Sequence, residues 1–184
     1  VDNITDVEYY RSLYQGEIAQ TDAGIGHIFD AIKKLGLDKN TIVIFFSDHG
    51  EAIGEHGQYF MHASSLYDEL LKVPLIINAP ALKRWGGRIG KQVSLLDVAP
   101  TVLDLIGIKK PKQMQGNSLK LLMQGDESSP SDFVWSEWLD KRSVRSEKWK
   151  LIHEGLSDTY ALYDLKSDPR EMNDLLDSFT QHMR

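Results

Sequence analysis

Six side chains able to carry protons or bind a cation crowd one short stretch, "SDHGEAIGEHGQYFMH", residues 47–62: Asp48, His49, Glu51, Glu55, His56 and His62. A carboxylate next to an imidazole suits a divalent cation of hard or borderline character, one giving oxygen and the other nitrogen. Two such ligands make an incomplete shell, so the rest must come from elsewhere. Gly50 lets the backbone turn sharply behind them. An Asp at this kind of position also serves as a turn former or a helix cap, and a histidine as an ordinary packed residue. The residues alone leave both readings open.

What precedes the cluster says where it must sit. "TIVIFF" (41–46) has no alternation and is rich in β-branched and aromatic residues. It predicts a strand buried on both faces, as in a parallel sheet covered by helices. Ligands of such sheets gather beyond the carboxyl ends of the strands, where Asp48 and His49 lie. Upstream, Tyr10, Leu13, Tyr14, Ile18, Ile25, Ile28, Phe29, Ile32 and Leu35 have the spacing of one long amphipathic helix over residues 6–35. Gly24 and Gly26 each cost that helix about 1 kcal/mol relative to Ala, which predicts close approach by a neighbouring element. Downstream, Gly54 and Gly57 make the histidine-bearing segment read as a flexible loop.

"VPLIINAP" (73–80) reads as a second buried strand, and "QVSLLDVAPTVLDLIG" (92–107) as a short strand entering a helix. Asp97 is the expected N-cap, Pro100 fits the first turn and Gly107 the stop. This alternation predicts an α/β class with part of a mostly parallel sheet. After the linker-like "DESSPSD" (126–132), the runs "FVWSEW", "SVRSEKWKLIHE" and "TYALYDL" predict a small antiparallel sheet, followed by an acidic tail. The expected division is 1–127 for the α/β part and 128–184 for the small sheet. Trp135, Trp138 and Trp149 lie near Lys141, Arg142 and Arg145. That grouping would suit an anionic sugar, aromatics against the ring and cations against the charge, but packing of the small sheet onto the main domain is the reading adopted. His27, His153 and His182 read as structural.

With 184 residues, 41% of them hydrophobic, the chain can build one or two domains with a core. A net charge of −6 argues against non-specific nucleic-acid binding. It leaves an anionic substrate open, because a bound cation inverts the local field. The absence of cysteine removes disulfides and thiolate metal sites and leaves the compartment unknown. No apolar run approaches the ~20 residues that cross a bilayer. "VDNITDVEYY" has neither an initiator Met nor the pattern of a signal peptide, so a chain that continues upstream is expected.

Taken in order, "YQGEIAQTDAGIGHIFDAIKKLG", "SDHGEAIGEHG", "LYDELLKVPLIINAP", "VSLLDVAPTVLDLIGI", "QGNSL", "WKLI" and "LYDLKSDPREMNDL" resemble the C-terminal half of a sulfatase, of the alkaline-phosphatase-like superfamily. The resemblance runs over nearly the whole chain. It implies that Asp48 and His49 are metal ligands, with calcium expected and manganese or zinc as alternatives. It also implies that His62 contacts the sulfate oxygens or assists the leaving group, and that Glu51 and His56 give outer-shell support. The family's formylglycine nucleophile, made within C/S-x-P-x-R, has no counterpart here: "SSPSD" (128–132) ends in Asp132 where the Arg would stand. The implied parent is a metal-assisted sulfuric ester hydrolase acting on an aryl or sugar sulfate. Its N-terminal half would be a partner to this chain, and the isolated chain would be inactive. Exposed surface would also favour a homo-oligomer. Same-scaffold alternatives are a phosphodiesterase, a phosphonate monoester hydrolase or a phosphoethanolamine transferase; a non-catalytic module is the alternative from another class.

Overall fold

Asp6 opens the first helix by accepting the Tyr9 N–H at 3.0 Å, which satisfies one of the donors a helix start leaves unpaired. In this computed structural model, which describes residues 6–80, 87–126 and 131–176, α1 then runs over Val7–Lys34. Lys33 and Lys34 sit in its last turn, against the partial negative charge of that end. The apolar stripe forms as its spacing predicts, yet no residue of α1 is buried; Tyr10, Leu13, Tyr14, Ile18, Ile28 and Phe29 are all exposed. The close approach expected at Gly24 and Gly26 is not made among the described residues, none of which lies within 4 Å of where their Cβ atoms would stand.

The next elements are β1 (Val43–Phe46), β2 (Ala52–Ile53), β3 (Tyr59–Met61), α2 (Asp68–Leu71) and β4 (Leu75–Asn78). Both apolar runs form strands, but the expected parallel sheet is not what pairs them. β1 and β4 run antiparallel, with Val43 opposite Asn78 and Phe46 opposite Leu75. Nor are they buried on both faces: Phe46 is 45% exposed and Ile76 61%. An unalternated apolar run reports a strand that needs cover on both sides. It carries no information about strand direction, and the described residues do not supply the cover.

Chain proximity divides the protein into two compact units, Val1–His62 with Lys72–Lys83, and Ala63–Leu71 with Arg84–Arg184. The boundary expected between residues 127 and 128, and most of the linker around it, fall on 127–130, outside the described residues. No described helix is long and apolar enough to cross a membrane.

The short strand expected from residue 92 onward does not form among the described residues ahead of α3 (Val98–Leu105). A 3-10 turn over Leu95–Asp97 runs straight into it, with Ser94 as N-cap. Asp97 completes that capping box, accepting the Ser94 N–H at 2.9 Å and the Asn117 N–H at 2.8 Å. Gly116, at φ 79, lies so close that a Cβ would collide with the Leu96 carbonyl. After the single-turn α4 (Lys120–Met123), the strands β5 (Val134–Trp138), β6 (Lys141–Arg145), β7 (Trp149–Glu154) and β8 (Thr159–Asp164) form the expected antiparallel sheet in sequential order. Ile152 and Tyr163 on one face pack with Leu66 and Leu165. Trp135 is on the opposite face and 71% exposed.

A charged cluster shares the packed face. Lys150 is fully buried, its Nζ 2.9 Å from Asp68 Oδ1 and 2.6 Å from Glu171 Oε1. Arg145 Nη2 lies 3.0 Å from Asp68 Oδ2, and Gln92 accepts from Arg145 Nη1. Glu171 Oε2 also accepts the Asp68 N–H at 2.6 Å, capping α2 from a distant segment.

Burial acts to raise both carboxylates. At Asp68 the two cations outweigh it and hold the carboxyl below its ordinary 3.8; at Glu171 burial wins, and the carboxyl lies above its ordinary 4.5. Glu171 therefore binds its proton more readily in the folded chain, so its contribution grows as pH falls from neutral to about 4.5. Asp68 acts oppositely, and its contribution is lost only as pH drops below about 3.8. The melting-temperature difference between the protein and its Glu171→Gln variant should move in favour of the unmodified protein over the first interval. A difference that does not change with pH would contradict this assignment.

Candidate functional site

β1 delivers its last apolar side chain at Phe46, and the backbone then turns without starting a helix, so Asp48 does not cap one. Ser47 Oγ donates to the His49 carbonyl at 2.6 Å, and Asp48 Oδ1 accepts the His49 N–H at 3.0 Å. This local wrapping is what a Ser-Asp pair does beyond a strand. It leaves the other carboxylate oxygen outward, and the Asp48 side chain is 83% exposed. His49 Nδ1 lies 2.9 Å from the Gly50 carbonyl. A carbonyl only accepts, so Nδ1 carries the proton and Nε2 keeps its lone pair in the neutral ring. That Nε2 is 3.7 Å from Asp48 Oδ2. Metal–ligand bonds of roughly 2.0–2.4 Å from each atom could meet on one cation across that gap. The donor chemistry fits a divalent ion, and a His whose other nitrogen is tied to a carbonyl is the usual metal-binding arrangement. The shell is not complete here: among the described residues no group of three or more acidic or histidine side chains could hold an ion.

The segment read as a flexible loop is an ordered hairpin. β2 and β3 pair antiparallel across an irregular register, Ala52 opposite Met61 and Ile53 opposite Tyr59. Between them lies a 3-10 turn, Glu55–Gly57. Gly54 at φ 108 and Gly57 at φ 69 supply the left-handed backbone the turn requires, and His56 adopts it too, at φ 51. Glu55 fastens the turn: Oε2 accepts the Ile53 N–H at 2.6 Å, and Oε1 is 3.4 Å from Arg11 Nη2 of α1. Partial burial would raise the Glu55 carboxyl, but the Ile53 N–H and the Arg11 guanidinium outweigh it and hold the carboxyl below its ordinary range. Tyr10 packs on Phe60 with ring centres 4.9 Å apart. The glycines thus shape a fixed turn, and α1 holds it.

His62 follows β3 directly. Its ring stacks on that of His49, centroids 4.6 Å apart and planes 9° from parallel, while its Nδ1 is 3.1 Å from Glu51 Oε2. The fold therefore gathers Asp48, His49, Glu51 and His62 at the end of β1, and keeps His56 in the hairpin turn. Sequence reasoning missed Ser47 and Arg11; only the Ser-Asp pairing at a strand end gave a local signal. His27 is exposed on α1, and His153 is engaged by Asp158 at 3.0 Å and by the Tyr160 ring. His182 lies outside the described residues.

Residues 54–183 match the family of the N-sulphoglucosamine sulphohydrolase C-terminal region. The N-acetylglucosamine-6-O-sulfatase of Bacteroides thetaiotaomicron is 32% identical over 181 residues, an alignment that takes in 91% of this chain and 32% of that protein. Among solved structures, a 2-O GAG sulfatase superposes with a TM-score of 0.88 at 27% identity, covering 99% of this chain and 42% of the other. The phosphonate monoester hydrolase of Agrobacterium radiobacter gives 0.83 at 26%, covering 97% and 40%. The chain spans about a third of the length of the curated relatives it matches. The mixed α/β layout with its small antiparallel sheet is thus an alkaline-phosphatase-like arrangement, and the chain belongs to the sulfatase family, of which it is the C-terminal portion.

Proposed function

We propose that this chain is the C-terminal part of a sulfatase that hydrolyses sulfate esters, and that it contributes one side of the catalytic metal site. The observation that carries the reading is the convergence of Asp48 Oδ2 and His49 Nε2, 3.7 Å apart, with the His62 ring stacked behind them. Asp48 and His49 hold a divalent cation, calcium by preference over manganese or zinc, together with ligands from polypeptide that this third of the enzyme does not contain. When bound, such an ion supplies Lewis-acid stabilisation of sulfate oxygens and favours the deprotonated form of the nucleophile. The chain's own residues do the rest of their work around it. Asp48 brings negative charge, and His49 brings a nitrogen whose tautomer Gly50 fixes. His62 faces the sulfate oxygens or the departing alcohol oxygen, and Glu51 and the turn carrying His56 support it from outside.

The formylglycine nucleophile belongs to the other part of the enzyme, as does most of the pocket that reads the substrate. Aryl and sugar sulfates are the substrate class, the latter supported by the sugar sulfatases among the relatives. The exposed apolar stripe of α1 and the open faces of β1 and β4 are the surfaces the remainder of the enzyme covers. A second reading, a phosphonate monoester or phosphodiester hydrolase, draws on the hydrolase of that type among the structural neighbours and on His49 in the second ligand position. The test is turnover of an aryl sulfate by the full-length protein and by this chain alone, each with and without calcium. The full-length protein should hydrolyse the sulfate ester faster than a matched phosphonate ester, and the isolated chain should do neither. Appreciable turnover by the isolated chain would contradict the half-site, and a preference for the phosphonate would favour the second reading.

A further inference from the structure

Glu51 stands apart from its acidic neighbours. Its side chain is 22% exposed, against 83% for Asp48, and it points at an imidazole rather than at solvent. Oε2 lies 3.1 Å from His62 Nδ1, while Oε1 is buried without a hydrogen-bond partner among the described residues. Leaving a carboxylate oxygen so placed costs desolvation that a turn residue has no reason to bear. A carboxylate only accepts, so the contact requires a proton on Nδ1, and this holds for the neutral and the charged ring alike. The His49 ring, 4.6 Å away and within 9° of parallel, fixes the plane from another side. Two neighbours therefore set both the tautomer and the tilt of an imidazole that would otherwise leave both tautomers open.

We propose that Glu51 is the positioning residue of His62, holding a proton on Nδ1 so that Nε2 is the nitrogen that faces the anionic substrate, to which it donates when the ring carries both protons. This rests on the role given to His62 above and adds to it the atom that meets the substrate and the group that selects that atom. Glu51 itself touches no substrate. It acts as second-layer carboxylates do for histidines in metal sites, where loss of such a partner costs roughly 10–100-fold in activity.

The experiment has two arms. In the first, side-chain nitrogen NMR of the 15N-labelled chain, recorded at a pH where imidazoles are neutral, reads the tautomer of His62 directly. The resonance is assigned by comparison with His62→Gln. Wild type should show the proton on Nδ1, Glu51→Ala a mixture or the Nε2–H form, and Glu51→Asp an intermediate pattern. A wild-type His62 protonated on Nε2 overturns the proposal without any variant, and so does a Glu51→Ala spectrum identical to wild type. In the second arm, Glu51→Ala in the full-length enzyme should lower kcat about 10–100-fold with KM for an aryl sulfate little changed, and Glu51→Asp should recover part of the loss. Wild-type kcat in Glu51→Ala also overturns the proposal. Full turnover by a His62→Ala enzyme whose parent gives the expected spectrum sinks instead the role assigned to His62 and leaves the Glu51–His62 coupling standing.

Discussion

Asp48→Asn in the full-length enzyme should lower kcat/KM for an aryl sulfate by about a thousandfold, the equivalent of roughly 4 kcal/mol of transition-state stabilisation. The choice of Asn separates two explanations of the same residue. Asp48 Oδ1 accepts the His49 N–H at 3.0 Å, a turn-forming bond that an amide oxygen can make equally well. If shaping the turn were its work, Asn would serve and activity would stay near wild type. A cation facing Oδ2 loses a full negative charge in Asn, and the remaining donor from this chain, His49 Nε2, is neutral. The deficit should be partly recovered at high calcium, because mass action restores occupancy of a weakened site. Since the side chain is 83% exposed, the fold has little stake in it, and the melting temperature of the variant should match wild type. The measurement is steady-state turnover across a calcium series, paired with a thermal melt. Turnover of Asp48→Asn within tenfold of wild type at all calcium levels would remove Asp48 from the metal shell.

Legibility of the chain followed the range of the interactions involved. α1 could be read to within a residue at each end because its signal, an apolar spacing, is local. The small sheet was legible for the same reason, since alternation and short polar turns specify neighbouring strands. Strand direction was not, because the apolar runs of β1 and β4 look the same in either orientation. The hairpin over residues 52–61 was misread as flexible from its glycines. Those glycines permit a tight turn, and the groups that hold it, Arg11 and Glu55, are 44 residues apart in sequence. At the site, the crowding of titratable residues after an apolar strand could be seen directly. The stacking of His62 on His49 could not, since it depends on the bulged register that returns β3 alongside β2.

Lys150→Met should cost about 3–5 kcal/mol, a large fraction of the stability a domain of this kind has to lose. The sequence did carry a hint of this residue: in "WKLI" the lysine occupies the same strand face as Ile152, which belongs to the core. A lysine on that face must be paired, and the fully buried Nζ has a carboxylate on either side, Asp68 at 2.9 Å and Glu171 at 2.6 Å. Met fills much of the same volume with an unbranched chain, so the cost does not come from a cavity. It comes from taking the ammonium away from two carboxylates, Glu171 buried and Asp68 largely so, when Arg145 already directs its donors to Asp68 and Gln92. Glu171 would lose the ammonium 2.6 Å from its Oε1, and its charge would bear on Asp68, whose N–H it caps at the start of α2. Removing the Glu171 charge should give back part of the loss, so Lys150→Met with Glu171→Gln should be more stable than Lys150→Met alone. Such non-additivity is the signature of one network rather than two independent contacts. Urea unfolding of the isolated chain measures it as a lowered midpoint with unchanged slope. If Lys150→Met unfolds within about 1 kcal/mol of wild type, or if the double variant is the less stable of the two, the buried lysine is not neutralising the pair and its ion pairs contribute no more than surface ones do.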